Sequence, residues 1–170
     1  VFDIIKEISL LFDNNISIKL MTTPYIAVDF GIKPLASKYS RIYTSGCFDV
    51  FHYGHLNILE RSKAICNFLI VGVSTDELIE KEKGLKPIIP FEERFKVIEA
   101  IKYVDKVIPQ VDKNKQRIID EFNIDAITVG DDWKDKFPKT TCPVEYFTYT
   151  ESVSSTILKN TLEIKVLPKI

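Results

Sequence analysis

Residues 41–55, RIYTSGCFDVFHYGH, give the clearest indication of the fold of this chain. The first five residues predict a strand, Gly46 predicts a turn, and a helix with one apolar face follows over residues 54–66. Residues 68–73 form an uninterrupted apolar run, which is typical of a strand that is buried on both faces of a sheet. A strand, a helix and a second strand in this order predict a parallel sheet with a right-handed crossover.

The same alternation continues towards the C-terminus. Further strands are predicted over 104–108, 126–129 and 144–148, and further helices over 91–101, 113–122 and 155–165. The sequence therefore predicts an α/β fold, a doubly wound parallel sheet of five strands, within a domain that spans residues 41–170. Residues 1–40 are an N-terminal extension of unknown role, with a short amphipathic helix over 2–12 and an alternating, strand-like segment over 16–20.

Composition narrows the classes of function. The 170 residues hold 23 basic and 24 acidic side chains, a net charge of −1, which argues against a basic surface for nucleic acid. No apolar run approaches the ~18–20 residues that span a bilayer. The first residues lack the basic region of a secretion signal. Three cysteines without a CxxC pair favour a reducing, cytoplasmic location.

Polar and glycine-containing segments follow several of the predicted strands. They cover residues 46–55, 130–133 and 150–156, and a lysine-rich segment, 81–86, follows the second strand. Ligands of such sheets bind at the carboxyl ends of the strands. We therefore expect these segments to converge on one site.

The two histidines of the chain, His52 and His55, occur together as His-x-Gly-His. Gly54 would let the backbone come close to a ligand at the start of the helix, where free N–H groups favour an anion. The histidines could instead have a purely structural role or bind zinc, and zinc is disfavoured because no third Cys or His ligand is near. We expect Cys47 to be a small packing residue and not a nucleophile, since binding an anion at the start of a helix needs no thiolate.

The segment GCFDVFHYGH (46–55) resembles the signature of the HxGH nucleotidyltransferases, in their cytidylyltransferase branch. The resemblance continues in order through STDELIEKEKG (74–84), EER (92–94), IKYVDKVIP (101–109), GDDW (130–133) and TESVSST (150–156). It covers about residues 41–160, and GDDW is most similar to the glycerol-3-phosphate cytidylyltransferases. The resemblance implies their Rossmann-like nucleotidyltransferase fold.

The resemblance also implies roles for the matching residues. The phosphate-contacting, catalytic positions are His52, His55, Lys83 (in a mobile loop) and Arg94. The nucleotide-binding positions are Gly46, Cys47, Phe48, Asp49, Gly54, Gly130, Asp131, Asp132, Trp133, Thr150, Ser154, Ser155 and Thr156. Lys102 and Tyr149 occupy substrate-binding positions, and Mg²⁺ would accompany CTP, with Asp49 or Asp131 as its candidate ligand.

The chain departs from the family pattern at several places. Cys47 replaces a frequent Thr, Tyr149 an Arg, Ser152 a Gly and Lys102 an Arg, and the segment between Lys83 and Arg94 is one residue longer. Tyr149 removes a fixed phosphate-binding charge, which bears on triphosphate binding and on the substrate.

The implied reaction joins CTP to a small phosphorylated alcohol, with glycerol 3-phosphate as the best match, and releases pyrophosphate by in-line displacement. The acceptor could instead be phosphoethanolamine, phosphocholine or a phosphorylated amino-acid derivative. The motifs would also suit an adenylyltransferase or a nucleotide-binding module without catalysis. The family resemblance further implies a homodimer.

Overall fold

The computed structural model describes residues 37–162 and two short strands before them. These strands, β1 (Ser17–Leu20) and β2 (Ile26–Asp29), pair antiparallel. The chain divides into two units, residues 1–36 and 37–170, and each is described by itself.

Within the first unit, the alternation of apolar side chains predicts β1, whereas β2 was not predicted. The amphipathic helix expected over residues 2–12 lies outside the described residues.

The second unit alternates strands and helices. Its strands are β3 (Tyr39–Gly46), β4 (Cys66–Ser74), β5 (Lys106–Gln110), β6 (Ala126–Gly130) and β7 (Val144–Phe147). Its helices, within residues 37–162, are α1 (Tyr53–Ala64), α2 (Asp76–Lys83), α3 (Phe91–Glu99), α4 (Lys115–Phe122) and α5 (Ser155–Thr161), with one 3₁₀ turn at Asp131–Trp133. Predicted and observed ends of β3 to β7, α1, α3 and α4 differ by two residues at most. The predicted end of the last helix near residue 165 is too late, since α5 ends at residue 161.

All five strands are parallel, in the order β5-β4-β3-β6-β7. Leu59 of α1 and Ile98 of α3 pack into one buried cluster, and Ile118 and Ile119 of α4 pack into another, which contains Tyr43. The predicted doubly wound α/β fold is thus confirmed. The strand order reverses beside β3, so the carboxyl ends of β3 and β6 border the position where such folds bind ligands.

One helix, α2, was not predicted. The side-chain oxygen of Thr75 accepts a hydrogen bond from the Leu78 amide and caps its start. Gly84, with φ of 71°, ends it in the left-handed conformation, which glycine adopts at no steric cost. Lys83, assigned to a mobile loop by resemblance, is the last residue of this helix.

Strand β5 extends through Pro109, although the sequence pattern predicted its end there. Proline is compatible with this place because β5 is the outer strand of the sheet, where a missing N–H need not break the ladder.

None of the helices in the described ranges combines the length and the apolar character that crossing a bilayer requires.

The packing between β3 and β4 predicts the effect of a small substitution. A Cβ added at Gly72 would overlap the hydroxyl group of the fully buried Tyr43. Gly72→Ala should therefore lower the free energy of unfolding by about 1–3 kcal/mol, the usual cost of overpacking, as measured by urea denaturation. Adding Tyr43→Phe, which removes the overlapping oxygen, should restore part of the loss. A Gly72→Ala protein as stable as the wild type would contradict this packing.

Candidate active site

The loop between β3 and α1 has a strained backbone. Phe48 and Val50 have φ values of 53° and 49°, in the left-handed region that non-glycine residues rarely adopt. Such conformations cost on the order of 1–3 kcal/mol each and persist only where surrounding contacts hold them. Phe48 and Asp49 are both buried in the loop.

The Asp49 carboxylate provides several of those contacts. Its two oxygens accept hydrogen bonds from the amides of Ile88 and Ile89, both at 3.0 Å, and Oδ2 lies 2.5 Å from Nζ of Lys159. Its backbone carbonyl accepts a hydrogen bond from the Ser155 hydroxyl at 2.7 Å. Burial would raise the pKa of Asp49, but Lys159 and the two amides hold it below its usual value.

Arg94 lies beneath the same loop rather than at its open side, with its side chain 1% exposed. Its guanidinium donates to the carbonyls of Ile89, Cys47 and Ser74 and to the carboxylate of Asp76. Its three nitrogens are therefore all engaged inside the protein. The assignment of Arg94 to a phosphate contact stays a prediction, and this geometry gives its guanidinium a structural role beneath the loop.

His52 begins α1 as its N-cap residue. Its Nδ1 accepts a hydrogen bond from the Gly54 amide at 3.1 Å, so the proton of the neutral ring is on Nε2. A Cβ on Gly54 would lie 3.0 Å from this ring. Gly54 therefore makes room for the imidazole of His52, whereas the sequence pattern suggested that it makes room for a ligand.

His55 stacks on His52, with ring centroids 3.8 Å apart. Phe48 and Phe51 also contact its ring, and its Nδ1 is buried without a hydrogen-bond partner in the described part of the chain. Burial, followed by the nearby His52, lowers the pKa of His55 to about 3, and burial also lowers the pKa of His52. Both rings are therefore neutral near pH 7 and can act as N–H donors without a charge.

The segment after β7 packs against α1. Asn57 donates to the Thr150 hydroxyl at 3.1 Å, and Arg61 donates to the Thr148 carbonyl at 3.1 Å. Ser154 caps α5 by accepting a hydrogen bond from the Ile157 amide. Thr150 and the start of α5 are thus brought to the histidine loop, as the predicted convergence requires. Thr156 is exposed beside them.

The turn after β6 joins the same edge of the sheet. The Asp131 carboxylate accepts a hydrogen bond from the Tyr149 amide at 3.0 Å, which ties the turn to the segment after β7. A Cβ at Gly130 would collide with the Asp132 carboxylate. Trp133 and Tyr149 are 48% and 45% exposed, so their rings are open to a ligand.

The lysines predicted for the site differ in position. The side chain of Lys83 is exposed. Burial raises the pKa of the Cys47 thiol, and the charges of Arg94 and Lys83 oppose this rise, so Lys83 lies near the histidine loop. Lys102 instead precedes β5, at the amino ends of the strands, with its Nζ 4.9 Å from the centre of the Tyr103 ring. Within one chain, Lys102 is thus at the edge opposite to His52, and its assignment as a substrate-binding residue stays a prediction.

Sequence patterns did not identify two lysines that lie on the same edge of the sheet as His52. Nζ of Lys115, at the start of α4, lies 2.6 Å from the Ser45 hydroxyl, and burial lowers the pKa of Lys115 to about 8. Lys159 binds Asp49, as described above. Each partner is at least 70 residues away in the sequence, and no local pattern marked either lysine.

The residues present do not form a protein cage for Mg²⁺. The Asp49 carboxylate, one of the two predicted ligands, is already used by two amides and a lysine, and one oxygen of Asp131 is used by an amide. Among the described residues there is no cluster of three His, Cys, Asp or Glu side chains that could hold a metal ion. The described residues therefore do not fit a metal ion held by the protein alone.

Comparison with known proteins finds a family model and relatives that match this chain. Residues 43–161 match the family model described as cytidylyltransferase-like. Glycerol-3-phosphate cytidylyltransferase of Bacillus subtilis is 43% identical over 124 residues, which are 70% of this chain and 94% of that protein. Ethanolamine-phosphate cytidylyltransferase of Mus musculus is 43% identical over 93 residues, 54% of this chain and 23% of that protein.

A solved structure agrees with the fold. The lipopolysaccharide core biosynthesis protein of Thermoplasma volcanium matches with a TM-score of 0.55 and 28% identity, over 65% of this chain and 98% of that one. Together with the family model, it confirms the resemblance that the motifs indicate.

His55 predicts a pH dependence of stability. Its unfolded imidazole takes up a proton near pH 6.5, whereas in the folded chain its pKa is about 3. Between these values the unfolded state binds more protons, so the free energy of unfolding falls as the pH falls, by up to about 1.4 kcal/mol per unit. In urea denaturation from pH 6.5 to 4, His55→Asn should therefore lose stability less steeply than the wild type. Equal slopes would show that His55 is not buried in its neutral form.

Proposed function

The chain belongs to the cytidylyltransferase-like family, and we propose on this premise that it transfers CMP from CTP to glycerol 3-phosphate. The family makes it a nucleotidyltransferase that uses CTP and a phosphorylated alcohol. The observation that carries the proposal is the pair of stacked, neutral histidines at the start of α1.

An oxygen of the acceptor phosphate attacks the α-phosphorus of CTP. A new P–O bond forms as the bond to the bridging oxygen breaks, and pyrophosphate leaves with that electron pair. The attacking oxygen is already an anion, so no general base is needed. The enzyme has to align two anions and stabilise the charge that develops on the phosphoryl oxygens.

Neutral N–H donors from His52 and His55 suit this task, because they point at a fixed place and need no reorganisation during the reaction. Gly46, Cys47 and Phe48 offer backbone groups at the end of β3. Lys83 supplies a positive charge and has no carboxylate partner among the described residues, whereas the nearby Lys86 pairs with Glu80.

The remaining nucleotide-binding assignments stay predictions that this geometry supports. Thr150, Ser154, Ser155 and Thr156 bring hydroxyl groups to the histidine loop. Gly130, Asp131, Asp132 and Trp133 follow the neighbouring strand, where the exposed indole could stack on the cytosine base. Arg94 supports the loop from below, and Mg²⁺ bound with CTP would neutralise part of the triphosphate charge.

Glycerol 3-phosphate is the proposed acceptor because the relatives that match over most of their length act on it, according to their names. Tyr149 lies where the family pattern has an arginine, and the loss of that positive charge bears on which phosphorylated acceptor binds. A homodimer stays a prediction, which light scattering at micromolar concentration tests. The cytoplasm stays the expected location, since Cys47, Cys66 and Cys142 are free thiols.

Release of pyrophosphate by the purified protein tests the activity. With CTP and Mg²⁺, glycerol 3-phosphate should support faster release than phosphoethanolamine, phosphocholine or a phosphorylated amino acid, and ATP should compete poorly with CTP. His55→Ala should lower kcat by about 10²–10³, the usual loss for one transition-state donor. Absence of release with every acceptor would overturn the proposal, and tight CTP binding without turnover would favour a binding module.

The role of Lys83 is tested by its neutral isostere. Lys83→Met should lower kcat/KM for CTP about 10–100-fold, because a charge-assisted hydrogen bond is worth about 1.5–3 kcal/mol. Lys96→Met, which removes an exposed lysine from α3, is the matched control and should behave like the wild type. If both variants keep wild-type kinetics, Lys83 does not act on the phosphates.

A further inference from the structure

The loop that carries His52 is held from three directions. Arg94 binds the Cys47 carbonyl from below, the amides of Ile88 and Ile89 bind the Asp49 carboxylate from one side, and α5 binds Asp49 from another. The strained residues Phe48 and Val50 directly flank Asp49. Contacts on Asp49 therefore determine the conformation of the loop.

Helix α5 depends strongly on its contact with Asp49. It has seven residues, none of which is buried, and Ile157 is 48% exposed. Two of its side chains reach the same residue: Ser155 donates to the Asp49 carbonyl, and Lys159 pairs with the Asp49 carboxylate at 2.5 Å. Lys159 thus ties the helix to the loop by charge more than by apolar packing.

The pair is shielded on the side of the carboxylate. The Asp49 side chain is 3% exposed and that of Lys159 is 30% exposed. A buried carboxylate needs a compensating charge, and Lys159 is its only ion-pair partner among the described residues. Without Lys159, the two amides would be left to hold the charge, and the loop could relax from its strained conformation.

We propose that Lys159 is a positioning residue of the transferase, acting through Asp49 to hold the loop in the conformation that places His52 and His55. This inference rests on the proposed function. Asp49 is three residues from His52, whose ring stacks on His55, so a relaxed loop displaces both donors. Misplacing catalytic groups by about 1 Å can cost 10²-fold in rate.

Three variants test the role: Lys159→Met, Lys159→Arg and the control Lys96→Met. We expect Lys159→Met to lower kcat about 10–100-fold while KM for CTP changes less than about threefold. Its midpoint of urea denaturation should fall, because the buried Asp49 carboxylate loses its compensating charge, so kcat is compared on protein that circular dichroism shows to be folded. Lys159→Arg keeps the positive charge and should recover most of kcat. Wild-type kcat in Lys159→Met, or a loss explained by unfolding, would overturn the inference.

A double-mutant cycle separates a role through Asp49 from direct contact with substrate. Asp49→Asn removes the charge that Lys159 compensates. If Lys159 acts through Asp49, adding Lys159→Met to Asp49→Asn should lower kcat little further. Multiplying losses in the double variant would show that Lys159 acts on the substrate itself and would overturn the inference.

The wild-type assay distinguishes this inference from the proposed function. If the wild type releases no pyrophosphate with any acceptor, the proposed function fails and the inference falls with it. If the wild type is active and Lys159→Met matches Lys96→Met in kcat, only the inference fails.

Discussion

The histidine loop depends on the burial of one charge. A carboxylate removed from water must have its oxygens satisfied. For Asp49 the partners come from segments 39, 40 and 110 positions further along the chain, namely the approach to α3 and helix α5. The need to satisfy one side chain thus draws together the histidine loop, the approach to α3 and helix α5. It also supports two adjacent residues, Phe48 and Val50, in conformations that they would not adopt alone.

The histidines show how burial sets the protonation state of a side chain. Because their rings stack at 3.8 Å and His55 is enclosed by Phe48 and Phe51, a positive charge on both is unfavourable. Neutral imidazoles still donate hydrogen bonds, and a fixed dipole is effective because it needs no reorganisation. Under the proposed function, the positive charge that the phosphates require then has to come from other groups, for which Lys83 and Mg²⁺ are the proposed sources.

Local sequence patterns predicted most of the strands and helices. They predicted only a minority of the side-chain contacts in the candidate site. The apolar run of β4 and the His-x-Gly-His start of α1 are strong signals, because period and capping are local properties. Helix α2 was missed because its charged residues hide a weak apolar stripe, although Thr75 and Gly84 marked its ends. The burial of Arg94, the edge on which Lys102 lies and the partner of Lys159 depend on how distant segments meet, which a single sequence does not show.

Pro109 has a consequence for how copies of this chain could associate. It sits in the outermost strand at the β5 side, where an incoming strand would need an unbroken row of backbone donors and acceptors. A ring nitrogen without hydrogen interrupts that row. Pairing of β5 with a strand of a second molecule is therefore disfavoured. Self-association at this edge would depend on side-chain contacts instead of backbone hydrogen bonds between strands.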